Sequence, residues 1–105
     1  MKVSAMLNVI PIGTGVSLSR YVAACERVLT ESGLEPRLHA HGTNVEGEWE
    51  QVVGAIRRCL EAVHSMGVPR ISTFVKLGTR TDRETAMDEM VASVEEKLLE
   101  PDPVA

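Results

Sequence analysis

Residues Lys2 to Ile10 alternate in polarity. Val3, Ala5, Leu7 and Val9 fall on one side, and Ser4, Met6, Asn8 and Ile10 on the other. A period of two marks a half-buried strand, and Pro11 ends it. Gly13 and Gly15 make residues 12–16 a loop. Ser17 then suits the N-cap of a helix running to about Ser32, with Leu18, Val22, Cys25 and Leu29 as its apolar stripe and Gly33 as its stop. A second strand is expected over Glu35–Thr43 and a third over Asn44–Glu48, with the reversal at Gly42 and Asn44. The next helix spans about Trp49–Met66, its N-terminus favoured by Glu48 and Glu50, and buries Val52, Ile56, Cys59 or Leu60, and Val63. Gly67 and Pro69 end it. Arg70–Leu77 reads as a fourth strand with Ile71, Thr73, Val75 and Leu77 on one face. Thr81 and Glu84 have the spacing of a capping box for a last helix carrying Met87, Met90 or Val91, Val94 and Leu98. Pro101 and Pro103 mark a tail.

The order β-α-β-β-α-β plus a C-terminal helix predicts an α+β, ferredoxin-like fold, with residues 1–99 as one domain and 100–105 as a flexible tail. Both helices would cover one face of an antiparallel sheet. Val3, Ala5, Leu7 and Val9 would pack there with Leu38, Ala40, Ile71, Val75 and Leu77. The opposite face would receive Ser4, Met6, Asn8, Arg37, His39, His41, Ser72, Phe74 and Lys76. Such a mixed polar face suits solvent, a wet interface between sheets, or the wall of a ligand site.

At 105 residues the chain has room for one ordinary domain. Its 44% hydrophobic and 25% charged composition is that of a globular protein. No apolar run approaches the roughly 20 residues of a membrane span, and no apolar stretch follows Lys2 to make a secretory signal. The net charge of −4 disfavours a nucleic-acid binder and is compatible with a cationic ligand. With one Tyr, one Trp and one Phe, the core must be aliphatic. Cys25 and Cys59 fit no zinc spacing and lie in apolar stripes. They read as buried thiols in a reducing compartment, most simply the cytoplasm.

Three segments carry a family resemblance. Val9-Ile10-Pro11-Ile12-Gly13-Thr14-Gly15-Val16-Ser17-Leu18-Ser19, followed by Tyr21-Val22-Ala23, resembles the opening of the small YkoF-like thiamine-binding family. His41–Glu48 resembles its second motif and Arg70–Leu77 its last strand, and together the similarity covers residues 2–99. The resemblance implies a ferredoxin-like fold, homo-oligomers that are commonly tetramers, binding of thiamine or its hydroxymethylpyrimidine moiety, and no established catalysis. No metal site and no cofactor are expected.

Each candidate residue has a functional and a structural reading. Thr14, Ser17 and Ser19 around Gly13 and Gly15 offer hydroxyls near a helix N-terminus, which attracts anions. The loop lacks the lysine and spacing of a phosphate loop, and a tight strand-to-helix turn would need the same glycines. His39 and His41 have the spacing of half a metal site, or of a polar subunit contact. His64 reads as surface. Glu46 and Glu48, followed by Trp49, could form an anionic, aromatic wall for the thiazolium cation, or a solvated edge beside a packed ring. Asn8, unusual in mid-strand, offers a donor and an acceptor to an aminopyrimidine or across a subunit interface. Lys76 could serve the same face. No nucleophile–base pair stands out. The expected site gathers Asn8, Thr14, Ser17, Ser19, Thr43, Glu46 and Trp49 into one pocket, with little preference for thiamine diphosphate over thiamine. Competing readings are a structural or regulatory homo-oligomer without ligand, and a small enzyme using His39 or His41 as acid or base.

Overall fold

The alternation of residues 2–11 becomes the central strand of the sheet. The structure, a computed structural model, describes residues 1–102. Its elements are β1 (Lys2–Pro11), α1 (Ser19–Glu31), β2 (Arg37–His39), β3 (Gly42–Glu48), α2 (Trp49–Ser65), β4 (Ile71–Thr79) and α3 (Met87–Leu98). The strands form one sheet in the order β2-β3-β1-β4, with every neighbour antiparallel. This is the ferredoxin-like arrangement. Lys2 pairs with Glu48 and Leu7 with Thr43 across β1 and β3; Val3 pairs with Thr79 and Pro11 with Ile71 across β1 and β4.

Helices α1 and α2 cover one face. Val3, Ala5, Leu7 and Val45 meet Tyr21, Cys25 and Leu29 of α1 and Val52, Ala55, Cys59 and Val63 of α2, all buried, with Leu34 and Val68 closing the ends. Cys59 donates its thiol to the Cys25 carbonyl at 3.6 Å. Its contact with the Cys25 thiol, then burial, push the Cys59 thiol well above the ordinary range. Both cysteines are free and buried.

Four expectations need correction. The β2–β3 reversal falls at Ala40 and His41, because His39 pairs with Gly42. Thr43 is therefore a β3 residue on the helix side, and His41 leaves the open face for the turn. Leu38 lies opposite Thr43 but is 62% exposed, and Ala40 is exposed in the turn, because the helices lie over β1 and β3 and leave the edge strand uncovered. Leu77, on the other edge strand, is 40% exposed for the same reason. Second, α1 begins two residues after Ser17. Leu18 occupies the N-cap position and its carbonyl accepts from Tyr21 and Val22, so the buried face turns to Tyr21, Ala24, Cys25 and Leu29.

Third, Thr81 and Glu84 do not cap α3. Arg80 instead bonds Asp82 and Thr85 and holds that stretch as a loop. The guanidinium beside Asp82 holds its carboxyl down at about 2. Fourth, α3 buries none of its residues. Val94 is 60% and Leu98 76% exposed, and the helix extends the molecule to 53 Å by 32 Å by 19 Å. The radius of gyration, 16.4 Å, exceeds the ~13 Å of a compact chain of this length. The expected tail begins where α3 ends, and residues 103–105 lie outside the described residues. Among the described residues, no helix is long and apolar enough to cross a membrane.

Candidate ligand cavity on the open sheet face

Strand alternation sets the floor of the cavity. On the face away from α1 and α2, β1 presents Lys2, Ser4 and Met6. Met6 lies between Asn44 of β3 and Lys76 of β4, and Ser4 lies between Glu46 and Gly78. Arg37 of β2 extends the Asn44 row. Gly78 keeps the floor open beside Ser4, since a Cβ there would come within 3.1 Å of the Ser4 Oγ. The roof is the β4–α3 connection and the first turns of α3, which bring Met87, Met90 and Val91 over the sheet. The half-open space between them is about 890 Å³, within the range of small-molecule pockets.

Two contacts pin the roof. The Met87 backbone N–H donates to Glu46 Oε2 at 2.8 Å. Glu46 thus supplies, from another element, the carboxylate that a helix N-terminus favours. Arg37 donates through both guanidinium arms to the Asp88 carboxylate, one arm at 2.9 Å. That hydrogen-bonded pairing lowers the Asp88 carboxyl below its ordinary range and raises the Arg37 guanidinium above its own.

A further network orients Asn44. The His41 N–H donates to His39 Nδ1 at 3.3 Å, which makes that nitrogen an acceptor and leaves Nε2 carrying the proton. Nε2 then donates to Asn44 Oδ1 at 3.1 Å. The Asn44 carbonyl is occupied, and its NH₂ group is left to donate from the cavity wall. Both His39 nitrogens are engaged, and among the described residues no three His, Cys, Asp or Glu side chains gather as a metal site.

The expected site residues do not converge. Glu46 belongs to the roof clamp. Trp49 opens α2, 37% exposed, its backbone N–H donating to the Met1 carbonyl at 2.9 Å. Asn8 lies on the open face opposite Phe74, one row beyond the cavity. Thr43 is buried on the other face and donates to Glu26 Oε1 at 2.8 Å. Thr14 and Ser17 lie in the β1–α1 loop and Ser19 opens α1, all at the opposite end of β1 from Glu46 and Trp49. The ten residues of β1 put roughly 30 Å between those ends. The Thr14 hydroxyl is buried without a hydrogen-bond partner. Ser4, Asn44 and the α3 methionines were not among the expected site residues. Alternation had put Ser4 on this face, but nothing local in the sequence signals that α3 returns over it, since Glu46 and Met87 are 41 residues apart.

Comparison with known proteins gives a consistent picture. The model of the family described as "Thiamine-binding protein" matches residues 5–95. A UPF0045 protein of Synechocystis is 54% identical over 95 residues, covering 90% of this chain and 78% of the relative. A UPF0045 protein of Eremothecium gossypii is 40% identical over 90 residues, covering 85% and 86%. The crystal structure of a hypothetical protein from Methanocaldococcus jannaschii superposes with a TM-score of 0.84 at 28% identity, covering 90% of this chain and 97% of that one. A Thermotoga maritima structure, given a provisional thiamine biosynthesis/salvage role, has a TM-score of 0.76 at 17% identity, covers 90% and 99%, and shares the fold.

Proposed function

The chain belongs to the thiamine-binding protein family, and from that premise we propose that its cavity binds the aminopyrimidine of thiamine, or free hydroxymethylpyrimidine, without chemical conversion. The observation that carries the reading is the oriented Asn44. Its amide donors are aimed by His39 into a space roofed by methionines. An aminopyrimidine presents ring nitrogens that accept and an amino group that donates. Asn44 supplies donors, the Ser4 hydroxyl can donate or accept, and Met6 with Met87 supplies polarizable surface for the ring faces. The lining offers hydroxyl, amide, thioether and cationic groups with one carboxylate, Glu84, and no histidine or cysteine. That set suits recognition without a nucleophile–base pair. The provisional role of the Thermotoga maritima protein points the same way.

Calorimetry with thiamine and hydroxymethylpyrimidine tests the reading. Asn44→Ala should weaken binding by about tenfold, the loss of one hydrogen bond to a polar ligand. Asn8→Ala, run in parallel, decides whether the ligand reaches the neighbouring row. Trp49 bonds the backbone of Met1, which lines the cavity, so Trp49 fluorescence reports on any closure there. Absence of heat with either compound at millimolar concentration would overturn the reading.

A second reading has its own support. The exposed apolar side of α3, with Val94 and Leu98, suits self-association. We place the protein in the cytoplasm as a homo-oligomer, with a tetramer as the expected state; a protein that serves only that assembly role would show no ligand heat. Light scattering after size exclusion reads the mass directly, and a monomer at micromolar concentration would remove the oligomer from both readings.

A further inference from the structure

The cavity's charge differs from that of the chain as a whole. The chain carries a net −4, yet Lys2, Lys76, Arg80 and Arg83 all line this one space, against the single carboxylate of Glu84. Arg80 is held by Asp82. The side chains of Lys2, Lys76 and Arg83 have no hydrogen-bonded or ion-paired partner among the described residues. Among the lining side chains three free cations thus face one carboxylate, while Glu46, which borders the floor beside Ser4, is engaged by the Met87 N–H. Lys2 and Lys76 rise from the floor on adjacent strands, while Arg83 comes from the loop above, so the cations approach from two sides.

An unphosphorylated thiamine would add a permanent cation to this surplus. A ligand with an anionic tail would neutralise it. We propose that the cavity's ligand is a phosphate ester: the monophosphate or diphosphate of the pyrimidine-bearing compound, its phosphate held by Lys76 and Arg83, with Lys2 adding positive charge from four residues along β1. Ammonium and guanidinium groups make short, charge-assisted hydrogen bonds to phosphate oxygens. On this proposal a preference for phosphate needs no phosphate loop, because the cations would come from residues 2, 76 and 83, on two strands and a loop. The inference rests on the ligand reading above.

Calorimetry at low and moderate salt separates the two. The probes are thiamine, thiamine monophosphate, thiamine diphosphate, hydroxymethylpyrimidine, its phosphate, and inorganic pyrophosphate. The phosphate esters should bind at least about tenfold more tightly than the parent alcohols, and the advantage should shrink as salt rises. In Lys76→Gln/Arg83→Gln the ester-to-alcohol ratio should fall toward one; circular dichroism and the melting temperature confirm that this surface variant folds. Equal affinity for esters and alcohols overturns the phosphate inference and leaves the aminopyrimidine reading intact. A preference unchanged in the double variant also overturns it. Binding of pyrophosphate by a protein that binds none of the esters overturns the proposal, and leaves a simple anion site without the pyrimidine. No binding of any probe overturns both.

Discussion

The two faces of the sheet are built from the same strands and do opposite things. On the helix side, Val3, Ala5 and Leu7 of β1 meet apolar partners and lose nearly all contact with water. On the open side, residues of even number meet Asn44, Lys76 and the roof. One face holds the chain folded by removing apolar area from water. The other keeps polar groups available in a space that water reaches. Alternation therefore separates the sealed core from the open polar face at single-residue resolution, and a substitution on one face should leave the other largely untouched.

The sharpest way to break that division is Leu29→Ala. Leu29 is fully buried, and its truncation should cost about 2–5 kcal/mol, whereas Lys76→Ala should stay within about 0.5 kcal/mol. Denaturant titration of both decides it; comparable losses would mean that the open face also carries the fold. Thr43→Val comes next. It keeps the shape but removes the donor to Glu26, whose other carboxylate oxygen is already buried without a partner. A loss of ~1–3 kcal/mol in stability is expected, with ligand affinity unchanged. Weaker binding with normal stability would put Thr43 back at the site.

The cysteines probe the same partition kinetically. Cys25 and Cys59 sit between α1 and α2, and Cys59 resists deprotonation, so native protein should react with thiol reagents only as fast as the helices open. Rapid labelling of the folded protein would show that the covered face is not sealed. The smallest effect concerns the roof. Arg37 lowers the Asp88 carboxyl, so their contact is fully present above the ordinary carboxyl value of 3.8 and is lost as pH falls below it. Exchange of the Met87 amide hydrogen, followed by NMR down this range, should report a loosening of α3 while the β1 amides stay protected. Simultaneous loss of both would join the roof to the core.

Much of the fold was legible because β1, α2 and β4 obey clean periodicities. The errors cluster where one residue type serves two physical purposes. Gly42 has the composition of a reversal, but it is a strand residue at a crowded crossing, where a Cβ would come within 3.1 Å of the Leu7 carbonyl and 3.2 Å of Met6 Cγ. Misreading it moved the turn and put Thr43 on the wrong face. Thr81 and Glu84 have capping-box spacing, yet α3 takes its carboxylate from Glu46 on a strand. That partnership is tertiary and leaves no local pattern. The candidate site was legible as a face and not as a cavity: Ser4, Met6 and Lys76 follow from alternation, while the roof that encloses them does not.

The roof is also covalently continuous with the floor. β4 ends at Thr79 and α3 begins at Met87, so a short connection separates a floor strand from the helix that closes above it. When the Glu46 and Asp88 contacts break, their partners stay at an effective concentration of order millimolar, as short tethers impose. Reclosure is then a unimolecular event that does not depend on how much protein is present. A compound entering beneath α3 competes with a tethered group of the same chain, and its apparent affinity carries that competition as a fixed offset, the same in a dilute solution as in a crowded one.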